Sequence, residues 1–234
     1  MSLALRRGGI IAAGDGARLR AAGYAMPKAL VPVGGVPLIE AVIGNFAAVG
    51  ITSLVIIVNE ASRACVDWVR ARFPTLDAEF IVKTTPSSLA SFQEVSGRLG
   101  PGPALISTVD AWCRPRDFAR FVEAGQRHLP HASTLALTPL VADEKPLWAS
   151  VDDDGRVTRL GPGAGPLVTA GLYLLAAAAR AAGAPAGQDR LRDYLQWLLA
   201  RAPIYGEVIE RVVDVDRPED VALAETLAGT EPAP

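Results

Sequence analysis

Cysteine and histidine are scarce in this chain. Of its 234 residues, two are cysteines, Cys65 and Cys113, and two are histidines. The cysteines lie far apart and form no CxxC pair, which argues against a disulfide framework and against a cysteine-based zinc site. His128 and His131 flank a proline with no partner in view, so we interpret both as surface or loop residues. A reducing, cytoplasmic location is the simplest expectation.

The chain also lacks an excess of positive charge and any long apolar run. Its net charge is −2, whereas a nucleic-acid-binding protein usually has a basic face. No window approaches the ~18 apolar residues of a membrane span. Arg6-Arg7 precedes an apolar run, but that run breaks at Gly14-Asp15 and has no cleavage site, unlike a signal peptide. We therefore expect neither a nucleic-acid partner nor a membrane partner.

The first half of the chain alternates apolar runs of strand length with helical patterns. Four strands are predicted, at 8–13, 54–58, 79–82 and 104–109. The second run is unbroken and mostly β-branched, which is typical of a strand covered on both faces. The alternation favours a three-layer α/β/α fold with a mostly parallel central sheet. Ligands of such sheets bind at the C-terminal ends of the strands.

The second half of the chain is less regular. Asp154-Gly155 between two apolar runs is a strong hairpin signal, and we interpret the aspartates at 152–154 as its solvated tip rather than a metal site. The patterns predict strands at 167–173 and 212–216 and helices at 175–182 and 190–201. Residues 14–26 are expected to form a loop, and residues 229–234 a disordered tail. The length fits a single domain, 1–234, and no fused acyltransferase-like or β-helix domain is expected after the last motif.

A glycine-rich turn follows the first predicted strand. In Gly14-Asp15-Gly16 the backbone N–H groups can converge on an anion, and Arg18 and Lys28 can complete its neutralisation. The turn lacks the third glycine of a dinucleotide fingerprint and the Gly-Lys-Ser/Thr of a P-loop. Taken alone, it is either a phosphate-binding loop or an ordinary strand-to-helix connection. The long connection to Lys28 favours the first interpretation.

Carboxylates stand near the ends of two later strands. Asp110 ends an apolar strand, where a carboxylate needs a partner; it fits either a metal ligand or a turn or helix-capping residue. Asp214 and Asp216 alternate along the last strand and would share one face, where their repulsion favours a cation between them. Asp216 could instead cap the final helix. Because Gly14 and Asp110 both follow parallel strands, we expect them to meet.

The segments 12–19 and 27–39 together resemble the signature of nucleotidyltransferases that act on sugar 1-phosphates. The spacing between Arg18 and Lys28 matches that signature, whereas Ala17 stands where the family usually has Thr or Ser. The likeness runs from residue 8 to about residue 227. It is strongest in the first 35 residues, at Asp110 and at 214–220. It implies the Rossmann-like, GT-A-like fold of the nucleotide-diphospho-sugar transferases, with an NTP-binding half at 8–110 and an acceptor-binding half at 111–228.

The resemblance also implies a reaction and a set of site residues. An acceptor phosphate attacks the α-phosphorus of an NTP, pyrophosphate leaves, and an NDP-sugar forms with Mg²⁺ as cofactor. The catalytic residues implied are Arg18, Lys28 and Asp110, and the metal ligands are Asp110, Asp216 and Asp214. The nucleotide-binding residues implied are Ala12, Ala13, Gly14, Asp15, Gly16, Arg18, Lys28, Ser87 and Ser88. The acceptor-binding residues implied are Lys145, Thr169, Gly171 and Tyr173.

Two other functions remain open within this resemblance. The serines of Pro86-Ser87-Ser88-Leu89 are nearer to choline-phosphate cytidylyltransferase-like members than to hexose-specific ones, where this segment is often glycine-rich. Cytidylyl transfer to a non-sugar phosphate such as phosphocholine is therefore the first alternative. The second is a non-catalytic, nucleotide-sugar-binding regulatory protein. The presence of Arg18, Lys28 and Asp110 argues against it.

Overall fold

A computed structural model describes residues 5–141, 145–185 and 187–229. The first half contains β1 (Arg7–Ala12), α1 (Ala17–Ala21), β2 (Pro32–Val33), β3 (Val36–Pro37), α2 (Leu38–Ala48), β4 (Ser53–Val58), α3 (Ala64–Arg72), β5 (Asp77–Val82), α4 (Ser88–Arg98) and β6 (Ala104–Thr108). The second half contains β7 (Ala111–Cys113), α5 (Pro115–His128), β8 (Ser133–Thr138), β9 (Trp148–Val151), β10 (Val157–Leu160), β11 (Leu167–Leu175), α6 (Ala177–Ala181), α7 (Leu191–Leu199), β12 (Ile204–Val208), β13 (Val212–Asp214) and α8 (Pro218–Gly229).

Nine of the described strands form the main sheet. Its order is β10-β9-β11-β6-β1-β4-β5, and β8 joins it by pairing with both β11 and β12. The four strands β6, β1, β4 and β5 are parallel to one another, as the alternation of strands and helices predicts. β11 pairs antiparallel with β6. On this side of β6 the sheet is formed by strands from the second half of the chain. The predicted α/β fold is therefore confirmed.

Helices cover both faces of this sheet. Along β4, Leu54, Ile56 and Val58 belong to one buried cluster together with apolar residues of α2, α3, α5 and α8. Val55 and Ile57 point to the other face and pack with residues of α4 and α7. All five side chains are fully buried. The unbroken apolar run is explained by this burial on both faces, which gives the three predicted layers.

Residues 17–21 form a short helix where a loop was expected. The segment consists of alanine, arginine and leucine, which are strong helix formers. The Asp15 carboxylate accepts a hydrogen bond from the Ala17 N–H at 3.2 Å, at the start of this helix. The prediction of a loop was therefore wrong for this segment, because the flanking glycines outweighed a local helix propensity.

The second half contains more strand than predicted. β11 continues to Leu175, where a helix was predicted to begin, because Leu174 and Leu175 pair with Leu105 and Ala104 of β6. An apolar run alone does not distinguish a buried strand from a buried helix. The strands β7 and β12 were not predicted. The hairpin of β9 and β10 is confirmed, and at its tip the Asp152 carboxylate accepts hydrogen bonds from the N–H groups of Asp154 and Arg156.

Some sequence expectations remain untested. The expected disordered tail lies outside the described residues, except for Gly229, which ends α8. The division into halves at 8–110 and 111–228 stays a prediction. Within the part of the chain that the structure describes, no helix combines the length and the apolar character needed to cross a membrane.

Candidate active site

Three carboxylates converge beside the C-terminal ends of β1 and β6. β13 pairs antiparallel with β7, and this pairing sets Asp214 opposite Ala111. The Val215 N–H donates to the Asp110 carbonyl oxygen at 3.0 Å, and the Val109 N–H donates to the Ile11 carbonyl oxygen at 2.9 Å. As a result, carboxylate oxygens of Asp110, Asp214 and Asp216 lie within 4.8 Å of one another. Such a set of oxygen donors fits a divalent cation such as Mg²⁺.

Two cations from the glycine-rich region contact these carboxylates. Lys28 Nζ donates to Asp110 Oδ2 at 2.6 Å and also contacts Asp216. Arg18 donates to Asp216 Oδ2 at 3.0 Å. Lys28 is 7% exposed, whereas Arg18 is 46% exposed. The region after the first strand therefore lies beside the later aspartates, as the sequence predicts. Lys28 is the buried cation between Asp110 and Asp216.

Lys28 and the aspartates stabilise each other's charged forms. Burial alone would lower the pKa of Lys28, but Asp110, Asp216 and Asp214 outweigh burial and raise that pKa above its ordinary value. Burial alone would raise the pKa of Asp110, but Lys28 and a hydrogen bond from Thr108 hold it below its ordinary value. Lys28 is therefore an ammonium and Asp110 a carboxylate at neutral pH.

The side chain of Asp216 faces the site instead of capping the last helix. The buried carboxylate of Asp220, in the first turn of α8, accepts hydrogen bonds from the N–H groups of Asp216 and Arg217 at 2.9 and 2.8 Å. Asp220 thus satisfies backbone donors at this helix start. The carboxylate of Asp216 contacts Lys28 and Arg18, so the sequence alternative of a capping role for Asp216 does not hold.

The glycine-rich turn packs closely against Lys28 and accepts hydrogen bonds from Asn59. Gly16 has φ +60°, and a Cβ there would lie 2.8 Å from Lys28 Cβ, so a side chain would push Lys28 away. Asn59, directly after β4, donates to the carbonyl oxygens of Ala13 and Gly14 at 3.2 and 3.1 Å. Its own carboxamide oxygen accepts from the Ser62 N–H at 2.7 Å. The turn is therefore held between Lys28 on one side and Asn59 on the other.

The two serines predicted near the base lie at the start of α4, and Ser88 lines the cavity. Ser87 is the N-cap of α4, and its hydroxyl accepts a hydrogen bond from the Ala90 N–H at 3.1 Å. The Ser88 hydroxyl accepts from the Leu191 N–H at 3.1 Å, which joins the start of α4 to the start of α7. Ser88 lines the cavity beside the carboxylates.

That cavity has a volume of about 380 Å³ and extends from the three aspartates along β11. Thr169, Gly171 and Tyr173 line it, as the acceptor-side interpretation requires. Gly171 has φ +71°, and a Cβ there would lie 2.5 Å from the Thr108 hydroxyl oxygen, so β11 can pass this close only with glycine. Lys145 is exposed and is not part of the lining, although Pro146, which follows it, is.

Several residues of the site were not found from the sequence. Asn59 had a usable signal, because it is a polar residue directly after a buried parallel strand. Thr108 and Arg192 had none. Thr108 is an ordinary strand residue, and Arg192 lies in the first turn of a helix beside Asp193. Only the folded chain shows that Arg192 lines the cavity.

A curated relative is similar in sequence to most of this chain. The CMP-5'-(3-aminopropyl)phosphonate synthase of Streptomyces rubellomurinus is 27% identical over 172 residues. The match covers 71% of this chain and 27% of the relative, so the chain corresponds to about a quarter of that protein.

Solved structures share the fold over nearly the whole chain. The inositol-1-phosphate CTP transferase from T. maritima superposes with a TM-score of 0.80 at 16% identity and 100% coverage of both chains. UDP-glucose pyrophosphorylase in complex with UDP-glucose superposes with a TM-score of 0.75 at 14% identity, covering 97% of this chain and 99% of the other. At these identities the likeness shows the fold.

The family is shown by the sequence itself. Residues 8–202, which include the glycine-rich turn, Lys28 and Asp110, match the model of the MobA-like NTP transferase domain. The resemblance to nucleotidyltransferases is therefore confirmed. The chain belongs to the MobA-like NTP transferase domain family.

Proposed function

We propose that the protein transfers a nucleoside monophosphate from an NTP to a small phosphate or phosphonate acceptor. The observation that carries the proposal is the joint placement of Arg18, Lys28 and three aspartates at one edge of the sheet, beside a cavity of about 380 Å³. Cations for the phosphates, carboxylates for a metal and space for an acceptor are the parts that this reaction needs.

The reaction needs no general base from the protein. An oxygen of the acceptor phosphate attacks the α-phosphorus of the NTP, the bond from that phosphorus to the bridging oxygen breaks, and pyrophosphate leaves with the bonding electrons. The attacking oxygen is already an anion, so no proton has to be removed. Neither His128 nor His131 lines the cavity, which agrees with this scheme.

Each cation has a separate task in this proposal. Arg18 is exposed enough to reach the β- and γ-phosphates, and its planar guanidinium suits two-point contact with the leaving pyrophosphate. Lys28 is buried and fixed, so it would neutralise charge on the α-phosphate as the bonds change. The backbone from Ala12 to Gly16, held by Asn59, would contact the phosphates, and Ser87 and Ser88 would lie beside the base.

The three aspartates would hold Mg²⁺ in this proposal. Asp110, Asp214 and Asp216 provide carboxylate oxygens close together, which fits this hard cation. When bound, Mg²⁺ supplies positive charge that lowers the repulsion between the two phosphates. Lys28 and Arg18 now neutralise these carboxylates, so binding of the nucleotide phosphates would draw both cations toward the ligand.

The acceptor is a sugar 1-phosphate or a non-sugar phosphate or phosphonate, and the cavity favours the second. Thr169 and Tyr173 offer hydroxyl groups to an acceptor, and Lys145 lies close along the chain to the lining residue Pro146. The wall also contains the hydroxyl residues Ser88, Thr108 and Thr138 and an aliphatic part formed by Leu140, Pro146, Leu147, Val168, Leu191 and Leu195. A sugar hydroxyl that faces this aliphatic part would lack a hydrogen-bond partner, whereas a methylene group would not need one. The relative from Streptomyces is named for a phosphonate product linked to CMP.

The test is pyrophosphate release from each of the common NTPs against a panel of sugar 1-phosphates, phosphocholine and short alkylphosphonates. We expect CTP with a non-sugar acceptor to give the highest rate. Turnover with a sugar 1-phosphate instead would support the first acceptor class. No turnover with any pair, while nucleotide still binds, would support the non-catalytic, regulatory alternative and contradict the proposal.

A further inference from the structure

Two helices that start near the cavity bond to each other through their first N–H groups. The Leu191 N–H, at the start of α7, donates to the Ser88 hydroxyl oxygen at 3.1 Å. The Leu89 N–H, in the first turn of α4, donates to the Asp189 carbonyl oxygen at 3.3 Å. The first N–H groups of a helix have no partner within that helix, so each bond satisfies a donor that its own helix leaves open. The starts of α4 and α7 are therefore joined by two hydrogen bonds.

The start of α7 takes its side-chain cap from another helix. Arg190, the residue before α7, makes no capping hydrogen bond with its side chain. Ser88 supplies the missing acceptor, although it lies 103 positions before Leu191 in the chain. The start of α4, in contrast, is capped by its own Ser87, whose hydroxyl accepts from the Ala90 N–H. Loss of the Ser88 hydroxyl should therefore release the start of α7 and leave α4 capped.

The part of α7 that follows this junction forms one wall of the acceptor cavity. Leu191 and Leu195 are buried, and both line the cavity together with Ser88. Residues four apart lie on the same face of a helix, so one face of α7 is turned toward the cavity. Behind the junction, the rings of Phe92 on α4 and Tyr194 on α7 pack with their centroids 5.6 Å apart. A shift at the start of α7 would therefore move an aliphatic wall of the cavity.

This contact changes the task that the family resemblance implies for Ser88. The resemblance implies that Ser88 binds the nucleotide. In the structure its hydroxyl oxygen accepts from a helix whose Leu191 and Leu195 line the acceptor cavity. The side chain thus links the nucleotide side of the site to the acceptor side.

We propose that Ser88 is a positioning residue for the acceptor, which caps α7 and so fixes the aliphatic wall of Leu191 and Leu195 against which the acceptor's tail packs. This inference rests on the proposed function. Because Ser88 acts through that wall, the effect of its loss depends on the tail. An acceptor with several methylene groups reaches the wall, whereas one with a single methyl group makes little contact with it.

The kinetic test compares methylphosphonate and butylphosphonate as acceptors with CTP. The net strength of an ordinary hydrogen bond predicts that Ser88→Ala raises the KM of butylphosphonate about 2- to 12-fold. The KM of methylphosphonate should change much less, and the KM of CTP should stay the same. Ser88→Thr keeps a hydroxyl group at this position and should restore the KM of butylphosphonate.

Ser96→Ala is the matched control. The Ser96 hydroxyl oxygen also accepts a hydrogen bond at 3.1 Å, from Arg180 Nε, but this bond joins α4 to α6, and Ser96 does not line the acceptor cavity. Both alanine variants should lose stability to a similar extent, while Ser96→Ala leaves the KM of both phosphonates unchanged. Equal changes of KM in the two variants would overturn the inference, because they would reflect a general loosening of α4. A rise in the KM of CTP alone in Ser88→Ala would also overturn it, because the hydroxyl would then serve the base.

Two measurements that need no turnover separate this inference from the proposed function. Hydrogen exchange followed by mass spectrometry should be faster at the start of α7 in Ser88→Ala than in the unchanged protein. Calorimetric titration with butylphosphonate should show weaker binding to the same variant. Both results without turnover of any pair would support the role of Ser88 and contradict the transfer function. Unchanged exchange at the start of α7 would overturn the inference, whether or not the protein turns over.

Discussion

Lys28 forms an ion pair with Asp110 at the centre of the site, with 2.6 Å between Nζ and Oδ2. The same ammonium contacts Asp216. A single buried cation therefore joins a carboxylate that follows β6 to one that precedes α8. In the protein without nucleotide, these carboxylates already have a positive partner. Metal binding and nucleotide binding should for this reason depend on each other.

Substitution of Lys28 by methionine tests this dependence. The variant keeps the length of the side chain but leaves the carboxylates without their main counter-ion. We expect turnover to fall by about 10²–10³-fold, as for loss of a transition-state donor. We also expect Mn²⁺, followed by electron paramagnetic resonance, to bind more tightly without nucleotide.

The exposed Lys83, which pairs with Glu94 away from the cavity, provides the control variant Lys83→Met. Its turnover and Mn²⁺ affinity should equal those of the unchanged protein. Equal Mn²⁺ affinity in Lys28→Met and in the unchanged protein would show that Lys28 does not compete with a metal.

Asp110→Asn should remove most turnover and leave the fold intact. The amide keeps the size of the side chain but loses the negative charge that faces Lys28 and the other carboxylates. Steady-state kinetics and circular dichroism measure the two effects. Asp153→Asn, at the tip of the hairpin between β9 and β10, is the matched control and should be fully active. Full activity of Asp110→Asn would contradict the role assigned to this carboxylate.

Asn59→Ala should loosen the phosphate loop. The substitution removes the donors to the carbonyl oxygens of Ala13 and Gly14 and the acceptor for the Ser62 N–H. We expect the free energy of unfolding to fall by about 1–3 kcal/mol, the cost of leaving buried polar groups unsatisfied. Urea denaturation measures this loss.

The kinetic effect of Asn59→Ala should fall on one substrate. The KM of the NTP should rise while the KM of the acceptor stays the same, because Asn59 contacts the glycine-rich turn and is not part of the cavity lining. A rise in the KM of the acceptor alone would contradict the assignment of this turn to the nucleotide.

Cys113 should make the protein less stable at high pH. Burial, with a smaller effect of Asp117, raises the pKa of its thiol from 9.0 to about 12. In the unfolded chain the thiol ionises near its ordinary pKa. The stabilisation is therefore complete below pH 9 and is lost as the pH rises from 9 toward 12, at about 1.4 kcal/mol per pH unit.

The difference between the unchanged protein and Cys113→Ala isolates this thiol from the other groups that titrate at high pH. Free energies of unfolding measured by urea denaturation from pH 8 to pH 11 should fall less steeply in the variant. Cys65, whose pKa burial raises to about 11, remains in both proteins and cancels in the comparison. Parallel curves would contradict the predicted effect of Cys113.

Much of the site could be predicted because it depends on strand ends. Gly14 and Asp110 follow parallel strands, and such strands end at one edge of a sheet, so their proximity follows from topology. Arg18 and Lys28 follow the first of these strands, so their ion pairs with the aspartates at the same edge follow from the same topology. The approach of Asp214 depends on β7, a three-residue strand too short to give a periodic signal.

Other features depend on contacts that no local pattern carries. Arg192 lines the cavity at the start of α7, where the Leu191 N–H donates to the Ser88 hydroxyl, and Ser88 lies 103 positions before Leu191 in the chain. Leu174 and Leu175 are in a strand because β6 is beside them, although leucine and alanine in sequence are equally typical of a helix. The glycines on both sides of residues 17–21 predict a loop, although the segment itself has a favourable helix sequence.

The central claim is that the α-phosphate of the NTP is transferred to the acceptor. The most direct measurement supplies CTP labelled with ³²P at either the α- or the γ-position, together with a short alkylphosphonate and Mg²⁺, and separates the products. We predict that the α-label appears in a new CMP–phosphonate compound and the γ-label in pyrophosphate, in equal amounts. Release of the γ-label as inorganic phosphate, or an α-label that stays in CTP with this and every other acceptor of the panel, would contradict the account.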